Sequence, residues 1–213
     1  MNSDFHDSAD DADFWPGEYA KSYTYVAKRD YQGIVDGMRS GNTFAVHGDL
    51  INALQFGAFS RVTPVTMGQT LDVKRGENVT IKIRFQSPSQ NYCGDSPVVD
   101  HIDLIAGDIT GRAMPGTAAY SSDTNPTTEV VARFTNADWQ VVNGWSVITY
   151  HMPRVQKSQY FRLRGTNLGL NAPGETDENG NPLVDTLAAG DNTAAKACAD
   201  LWFYSKPVFV NVK

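Results

Sequence analysis

The sequence predicts a mainly β protein, an antiparallel β-sandwich that carries one helix-strand appendage at its N-terminal end. Segments in which apolar and polar residues alternate recur from Leu71 to the end of the chain, and polar turns separate them. One earlier segment instead has apolar residues at helical spacing. With 213 residues, the chain can bury a sizeable core within one main domain.

The helical segment is "RDYQGIVDGMRSGNTFAV", and it predicts a helix over residues 30–40. Asp30 is a candidate N-cap and Gly41 lies where a helix would end. The apolar stripe consists of Tyr31, Ile34, Val35 and Met38. Because this stripe is narrow, we expect a surface helix that packs on something larger, followed by a buried strand over residues 43–51.

The strand segments begin with "LDVKRGENVTIKIRF", which predicts a hairpin that turns at residues 75–77. Further strands are predicted in "VVDHIDLIAG", "TEVVARF", "GWSVITYHM", "QYFRLRGT" and "DLWFYSKPVFVNV". Their β-branched and aromatic residues suit a half-buried pleated surface. Six to eight such strands indicate an immunoglobulin-like sandwich. Residues 113–128 and 167–192 are expected to form long loops.

The second of these loops contains "DENGNPLVD", which has oxygen-bearing side chains at Asp177, Asn179, Asn181 and Asp185. A tight turn with several oxygens is a possible weak cation site. However, glycine is the fourth residue and proline the sixth, where a calcium-binding EF-hand needs glycine. The favoured interpretation is a hairpin-type turn around Asn179 and Gly180.

Two other sets of residues have more than one interpretation. His101 and Asp103 share a strand face and could be a ligand pair, although a solvated strand face is the commoner explanation. The tryptophans and nine tyrosines could form a sugar-stacking platform, but core packing is favoured for the aromatic residues of the last strand.

The net charge of −6 comes entirely from the first eighteen residues. Six carboxylates lie there without a basic residue, and the rest of the chain carries equal numbers of acidic and basic side chains. No basic patch is present that would indicate a nucleic-acid partner. No long apolar run predicts a membrane span, and we expect no signal peptide because a basic stretch followed by an apolar one is missing.

The two cysteines, Cys93 and Cys198, show no spacing typical of a zinc site. Two separate buried thiols are the favoured interpretation. The alternative is a disulfide between a middle loop and the last strand, which would matter in an exported protein.

The acidic N-terminal segment contains "SDFH", in which Asp4 and His6 are two residues apart. On an extended segment both side chains project to the same side and could share one divalent cation. "NSDFH" resembles the last metal-binding motif of PHP (polymerase and histidinol phosphatase) domain metallophosphoesterases. The following "WPGEY", the helix-strand segment and the closing "DLWFYSKPVFV" are similar to the C-terminal part of larger PHP-like proteins.

This resemblance implies that residues 1–52 are the remnant of a distorted (β/α)₇ barrel, containing the metal motif, helix 30–40 and strand 43–51. Residues 53–213 would then be the β-sandwich domain. The complete parent would bind Mn, Zn or Fe, and Asp4 and His6 would be two of its ligands. No HxH pair is present, so the site is incomplete and we expect neither a bound metal nor catalytic residues in this chain.

Three functions remain open at this point. The first is the C-terminal portion of a PHP-like phosphoesterase, inactive by itself, whose partner is the missing barrel or a second copy bound through the helix 30–40 face. The second is a stand-alone sandwich module that binds a partner such as a glycan through residues 167–192 and exposed aromatic residues. The third is a small complete metal hydrolase. The lysine-poor surface favours export of the complete parent protein, but it does not identify the compartment.

Overall fold

The protein is described by a computed structural model, which covers residues 17–61, 64–184 and 198–213. It is mainly β, with two packed sheets and a single short helix, so the predicted β-sandwich with one helix is confirmed. None of the described helices is long and apolar enough to cross a membrane.

The described elements are, in chain order, β1 (Ala20–Thr24), α1 (Tyr31–Ser40), β2 (Thr43–His47), β3 (Ala53–Phe59), β4 (Val65–Thr66), β5 (Thr70–Val73), β6 (Val79–Gln86), β7 (His101–Asp108), β8 (Glu129–Thr135), β9 (Gln140–Val142), β10 (Trp145–Met152), β11 (Gln159–Thr166), β12 (Trp202–Ser205) and β13 (Val208–Val212). The small sheet has the strand order β4-β3-β6-β10-β9. The large sheet contains the other eight strands.

Strand β11 lies at the centre of the large sheet. Along one side it pairs with β7 over its full length, and β7 in turn pairs with β8 at the edge. Along the other side it pairs with β12 at one end and with β13 at the other. Strand β12 continues to β2 and β1, whereas β13 pairs with β5 in the one parallel contact among the described strands. The large sheet is therefore mixed.

One hydrophobic core lies between the two sheets. Its fully buried large side chains include Phe44, Phe56, Phe203, Ile81, Ile83, Ile102, Leu104 and Ile148. Along β6, the buried Ile81 and Ile83 alternate with polar residues, as the period-two pattern predicted. On β7 the inward residues are Ile102, Leu104 and Ala106, so Asp103 and Ile105 face away from the core.

The segment predicted as an appendage joins the sandwich directly. Strands β1 and β2 extend the large sheet through β12, and Phe44 and Val46 belong to the shared core. Two strands that precede the proposed boundary between residues 52 and 53 are therefore part of the same sheet as strands that follow it. Strand β2 ends at His47, earlier than predicted, because Gly48 and Asp49 both have positive φ angles and turn the chain.

The predicted hairpin over residues 71–85 is not formed. Gly76 makes the expected turn with φ of 83°, but β5 pairs with β13 in the large sheet while β6 pairs with β3 and β10 in the small one. The chain thus crosses from one sheet to the other at this turn. Alternation along each strand was correct, but it says nothing about which strand is the partner.

Helix α1 has the caps that the sequence predicted. The Asp30 carboxylate accepts a hydrogen bond from the Gly33 amide at 2.7 Å, and Gly41 ends the helix in the left-handed conformation with φ of 71°. The helix packs through Gly33 and Gly37, which are buried against the segment that follows β1. Of its apolar stripe, Tyr31, Ile34 and Met38 are exposed and Val35 is half-buried.

Candidate functional site

The residues of the predicted metal motif, Asp4 and His6, lie outside the described residues. Within residues 17–61, 64–184 and 198–213, no group of three or more His, Cys, Asp or Glu side chains is arranged to hold a metal ion.

The possible cation loop at Asp177 is held together by its own hydrogen bonds. One carboxylate oxygen of Asp177 accepts the amides of Asn179 and Asn181 at 2.8 and 2.7 Å. The other accepts the Asn181 side-chain amide at 2.9 Å. The hydrogen bonds from Asn181 are the main reason why the pKa of Asp177 is lowered. Gly180 adopts a positive φ of 71°, as in the predicted turn, and Asp185 lies outside the described residues.

This loop folds over the outer face of the large sheet, and arginines contact its remaining oxygens. Arg133 donates to the backbone carbonyl of Asn179 at 2.6 Å, and Arg164 donates to the side-chain oxygen of Asn181 at 3.0 Å. Two of the oxygens that could have served a metal ion are thus already bound by guanidinium groups.

The arginines meet around Asp103, which has no exposed surface. Asp103 lies directly opposite Arg133 on β8 and Arg164 on β11, so the three residues form one row across three strands. Arg133 binds both carboxylate oxygens, at 2.7 and 3.0 Å, and Arg164 binds one of them at 2.7 Å. We call these three residues the arginine-aspartate row.

The charge state of Asp103 follows from this geometry. Burial works to raise its pKa, but the hydrogen bonds and positive charges of Arg133 and Arg164 outweigh burial and hold the pKa below its ordinary value. Asp103 is therefore ionised at neutral pH and is fully engaged by the two guanidinium groups. It is not free to act with His101 as a metal ligand pair.

His101 is two residues before Asp103 on β7, on the same face of the strand, and it is almost completely buried. Its Nδ1 atom is 2.7 Å from the Asp100 carboxylate, whereas its Nε2 atom has no hydrogen-bond partner among the described residues. A Cβ atom at Gly180 would lie 3.2 Å from Nε2 and 2.9 Å from an Arg133 nitrogen. Glycine at this position therefore allows the loop to lie close against the sheet.

A cleft of about 580 Å³ opens beside the row. The residues that line it are Ile105, Thr128, Glu129, Val130, Val131, Ala132, Arg133, Arg162, Arg164, Asn179 and Asn181. We call it the arginine cleft. Arg162 is half-buried, lies opposite Ile105 in the strand register, and forms no hydrogen bond or ion pair with any described residue.

The aromatic residues are arranged mostly for packing. Trp202 is buried and stacks with Tyr204, and Trp139 packs edge-on against Phe85. Trp145 lies on the outer face of the small sheet, but the guanidinium of Arg84 covers its ring at 4.7 Å. Trp15 lies outside the described residues. Of the described tryptophans, Trp202 is buried, whereas Trp139 is half-buried and lines a cleft with Phe85 and Val98.

A second exposed feature is the apolar stripe of α1. Tyr31, Ile34 and Met38 expose 92, 48 and 59% of their surface. Their spacing places them on one face of the helix, separate from the face that carries the packed glycines. We call these three residues the α1 ridge.

The sequence interpretation did not identify the arginine-aspartate row or the arginine cleft. A partial signal was present, because Arg162 and Arg164 are two apart in "QYFRLRGT" and so share one strand face. Their convergence with Arg133 depends on the pairing of β8, β7 and β11, which alternation within single strands does not reveal.

The fold and these surfaces can be compared with known proteins. The scan against protein-family models, the search of curated proteins and the search of solved structures each find no match to this chain. What is established is thus the class of the protein, a two-sheet β-sandwich with one helix.

Proposed function

We propose that this chain is a non-catalytic β-sandwich module equivalent to the C-terminal portion of a PHP-like metal-dependent phosphoesterase, and that it binds its partner through the α1 ridge. The observation that carries the proposal is the exposure of Tyr31, Ile34 and Met38 on a helix that packs on the chain through Gly33 and Gly37 instead.

Exposed apolar side chains that share one face commonly mark an interaction surface. Burying a Tyr, Ile or Met side chain stabilises a complex by about 1.5–3 kcal/mol each before the entropic costs of association are counted. The two glycines make the orientation of the helix definite, because a larger side chain there would push it away from the segment that follows β1. The ridge is therefore a fixed feature that a partner can recognise.

The partner that best fits the resemblance is a metal-binding barrel that supplies the remaining ligands around Asp4 and His6. In such a barrel the metals would generate a hydroxide near neutral pH and bind phosphate oxygens. Two ligands from one short motif are too few for that chemistry, so the isolated chain is expected to be inactive. A second copy of the chain is the other partner that could cover the ridge.

The first experiment tests the absence of activity. The purified chain is assayed for hydrolysis of bis(p-nitrophenyl) phosphate with Mn²⁺, Zn²⁺ or Fe²⁺, and metal binding is measured by calorimetry. We expect no turnover and no tight metal site. Turnover that disappears in the Asp4→Ala and His6→Ala variants would instead support the small complete hydrolase.

The second experiment tests the partner. The reading frame immediately upstream of Met1 is sequenced, and HxH and further histidine motifs in frame are expected. If they are found, the barrel is expressed separately and its binding is compared between the unchanged chain and an Ile34→Glu/Met38→Glu variant. Loss of binding in the variant supports docking through the ridge, and equal binding contradicts it.

If no such frame exists, the barrel proposal is rejected, and light scattering then tests self-association through the ridge with the same variant. A Val141→Glu variant is the matched control, because Val141 is also an exposed apolar residue, 72% exposed, but lies on the small sheet. The glycan-binding module has less support, because Trp139 and Trp202 are packed and Arg84 covers Trp145.

In the structure Cys93 and Cys198 form a disulfide bond. Such bonds are typical of proteins from oxidising compartments, which supports export within this proposal.

A further inference from the structure

We propose that the arginine cleft is a binding site for an organic anion, a carboxylate or phosphate group attached to a small apolar body. The inference concerns a different face of the molecule from the α1 ridge and does not rest on the proposed function.

The first step is the unbalanced charge of the cleft. Three guanidinium groups, those of Arg133, Arg162 and Arg164, line it, while Asp103 lies beneath and Glu129 is the one acidic residue in its lining. Among these five residues the positive charges exceed the negative ones by one, and the Asp177 carboxylate also acts on Arg164 from the 177–181 loop. An anionic ligand would be attracted to the guanidinium groups of this cleft.

The second step is the position of Arg162. The single negative charge of Asp103 already faces the two positive charges of Arg133 and Arg164, so it does not neutralise the third arginine. Arg162 is held on the central strand of the large sheet, half-buried and without a hydrogen-bonding partner among the described residues. A partly desolvated charge without a partner is unfavourable, and an incoming anion would relieve it.

The third step is the set of unused donors. The guanidinium of the half-buried Arg162 donates no hydrogen bond to any described residue, whereas the unpaired Nε atom of Arg164 is buried and not accessible to a ligand. Guanidinium groups present parallel N–H donors that match the oxygens of carboxylate and phosphate groups. Because Arg133 and Arg164 are already fixed by Asp103 and by the 177–181 loop, the site needs little rearrangement on binding.

The fourth step is the apolar part of the lining. Ile105, Val130, Val131 and Ala132 contribute hydrocarbon surface next to the arginines. A bare inorganic ion would leave this surface in contact with water. A ligand that combines an anionic group with an apolar body uses both parts of the cleft, so we expect it to bind more tightly than a bare ion.

The test is a titration followed by NMR of the arginine Nε–Hε signals and of the backbone amides of β8 and β11. The probes are phenyl phosphate, benzoate, inorganic phosphate and the neutral benzamide. We expect saturable shifts with phenyl phosphate, benzoate or both, and the stronger of the two identifies the anionic group. Inorganic phosphate should bind at least threefold more weakly, and benzamide should not saturate.

Arg162→Gln should weaken binding at least tenfold, and Arg162→Lys should weaken it less because the charge is kept. Arg162 is chosen because no described residue depends on it for a hydrogen bond. The matched control is Arg84→Gln, which removes the same charge from a strand of the small sheet and should leave binding unchanged. The proposal is overturned if neither anion saturates, if benzamide binds as tightly as benzoate, or if Arg162→Gln binds like the unchanged protein.

Discussion

At the scale of single residues, Asp103 has the clearest energetic role. It is completely buried, and its negative charge compensates Arg164, which is also buried, and Arg133, which is about a quarter exposed. Such a buried charge network contributes little net stability to the fold, because the cost of desolvating the charges offsets most of their attraction. Removal of one member is a different matter, since it leaves the others buried without compensation.

We therefore expect Asp103→Asn to lower the free energy of unfolding by about 3–5 kcal/mol, the range typical for a broken buried ion pair. Urea denaturation followed by circular dichroism measures the change. Asp108→Asn is the matched control, because Asp108 is on the same strand, β7, and also forms an ion pair with a basic residue, Lys157, but at the surface. A similar small effect of both variants would show that the row does not stabilise the fold.

Asp103 also predicts a pH dependence. Its pKa in the folded protein is below the ordinary value of about 3.9, so the unfolded chain binds the proton more readily. The stability from the row is consequently present above about pH 4 and is lost as the pH falls through the lower, folded pKa. Urea midpoints between pH 2 and 6 should decrease toward acid. The decrease should be shallower in Asp103→Asn, and an identical pH profile would contradict this role of Asp103.

At the scale of elements, α1 shows how two glycines determine which face of a helix is packed. A Cβ atom at Gly33 would overlap the carbonyl oxygen of Lys28 and lie 2.9 Å from its carbonyl carbon. At Gly37 the same atom would lie 2.8 Å from the Tyr25 carbonyl oxygen. The helix can approach the chain this closely only because both residues lack side chains.

Gly33→Ala should accordingly lower the free energy of unfolding by about 1–3 kcal/mol, as overpacking does, although alanine is the better helix former. The matched control is Gln32→Ala, the exposed neighbouring position, where we expect a change within about 0.5 kcal/mol. Thermal and urea unfolding of both variants measure the difference. A Gly33→Ala protein that is more stable than the unchanged one would mean that helix propensity decides and that the contact is loose.

The same helix shows what the sequence could predict. Its bounds and caps were correct because Asp30 and Gly41 act locally. The helix packs on the chain as expected of a surface helix, but it does so through Gly33 and Gly37, which carry no apolar signal in the sequence. Strand alternation predicted β6, β7, β10 and β11 for the same local reason. Strands β1, β3, β4 and β9 were missed, and they are short or rich in small and polar residues.

The candidate site was less predictable than the strands. The turn at 177–181 was foreseen from Asn179 and Gly180, but its role as a cover over Asp103 was not. That role depends on contacts between residues 46 positions apart in the chain, Arg133 and Asn179. Such contacts depend on strand order, and strand order is set by the packing of the whole sandwich and not by local pattern.

At the scale of the whole molecule, Cys93 and Cys198 form a disulfide bond with Cα atoms 6.0 Å apart. Of the two alternatives that the sequence left open, the structure therefore has the disulfide and not the favoured separate thiols. The bond joins the loop between β6 and β7 to the residues just before β12. It thus connects the crossover between the sheets to the strand that follows residues 185–197.

Since the bond spans 105 positions, it removes considerable freedom from the unfolded chain. We expect a Cys93→Ser/Cys198→Ser variant, or the reduced protein, to lose about 2–5 kcal/mol of unfolding free energy. Urea denaturation with and without a phosphine reductant measures the loss, and a non-reducing peptide map verifies the pairing. The double variant is the control for the reductant, because its stability should not respond to it. If the reductant leaves the unchanged protein equally stable, the closed loop does not constrain the unfolded chain. In that case the core between the two sheets must supply the stability alone.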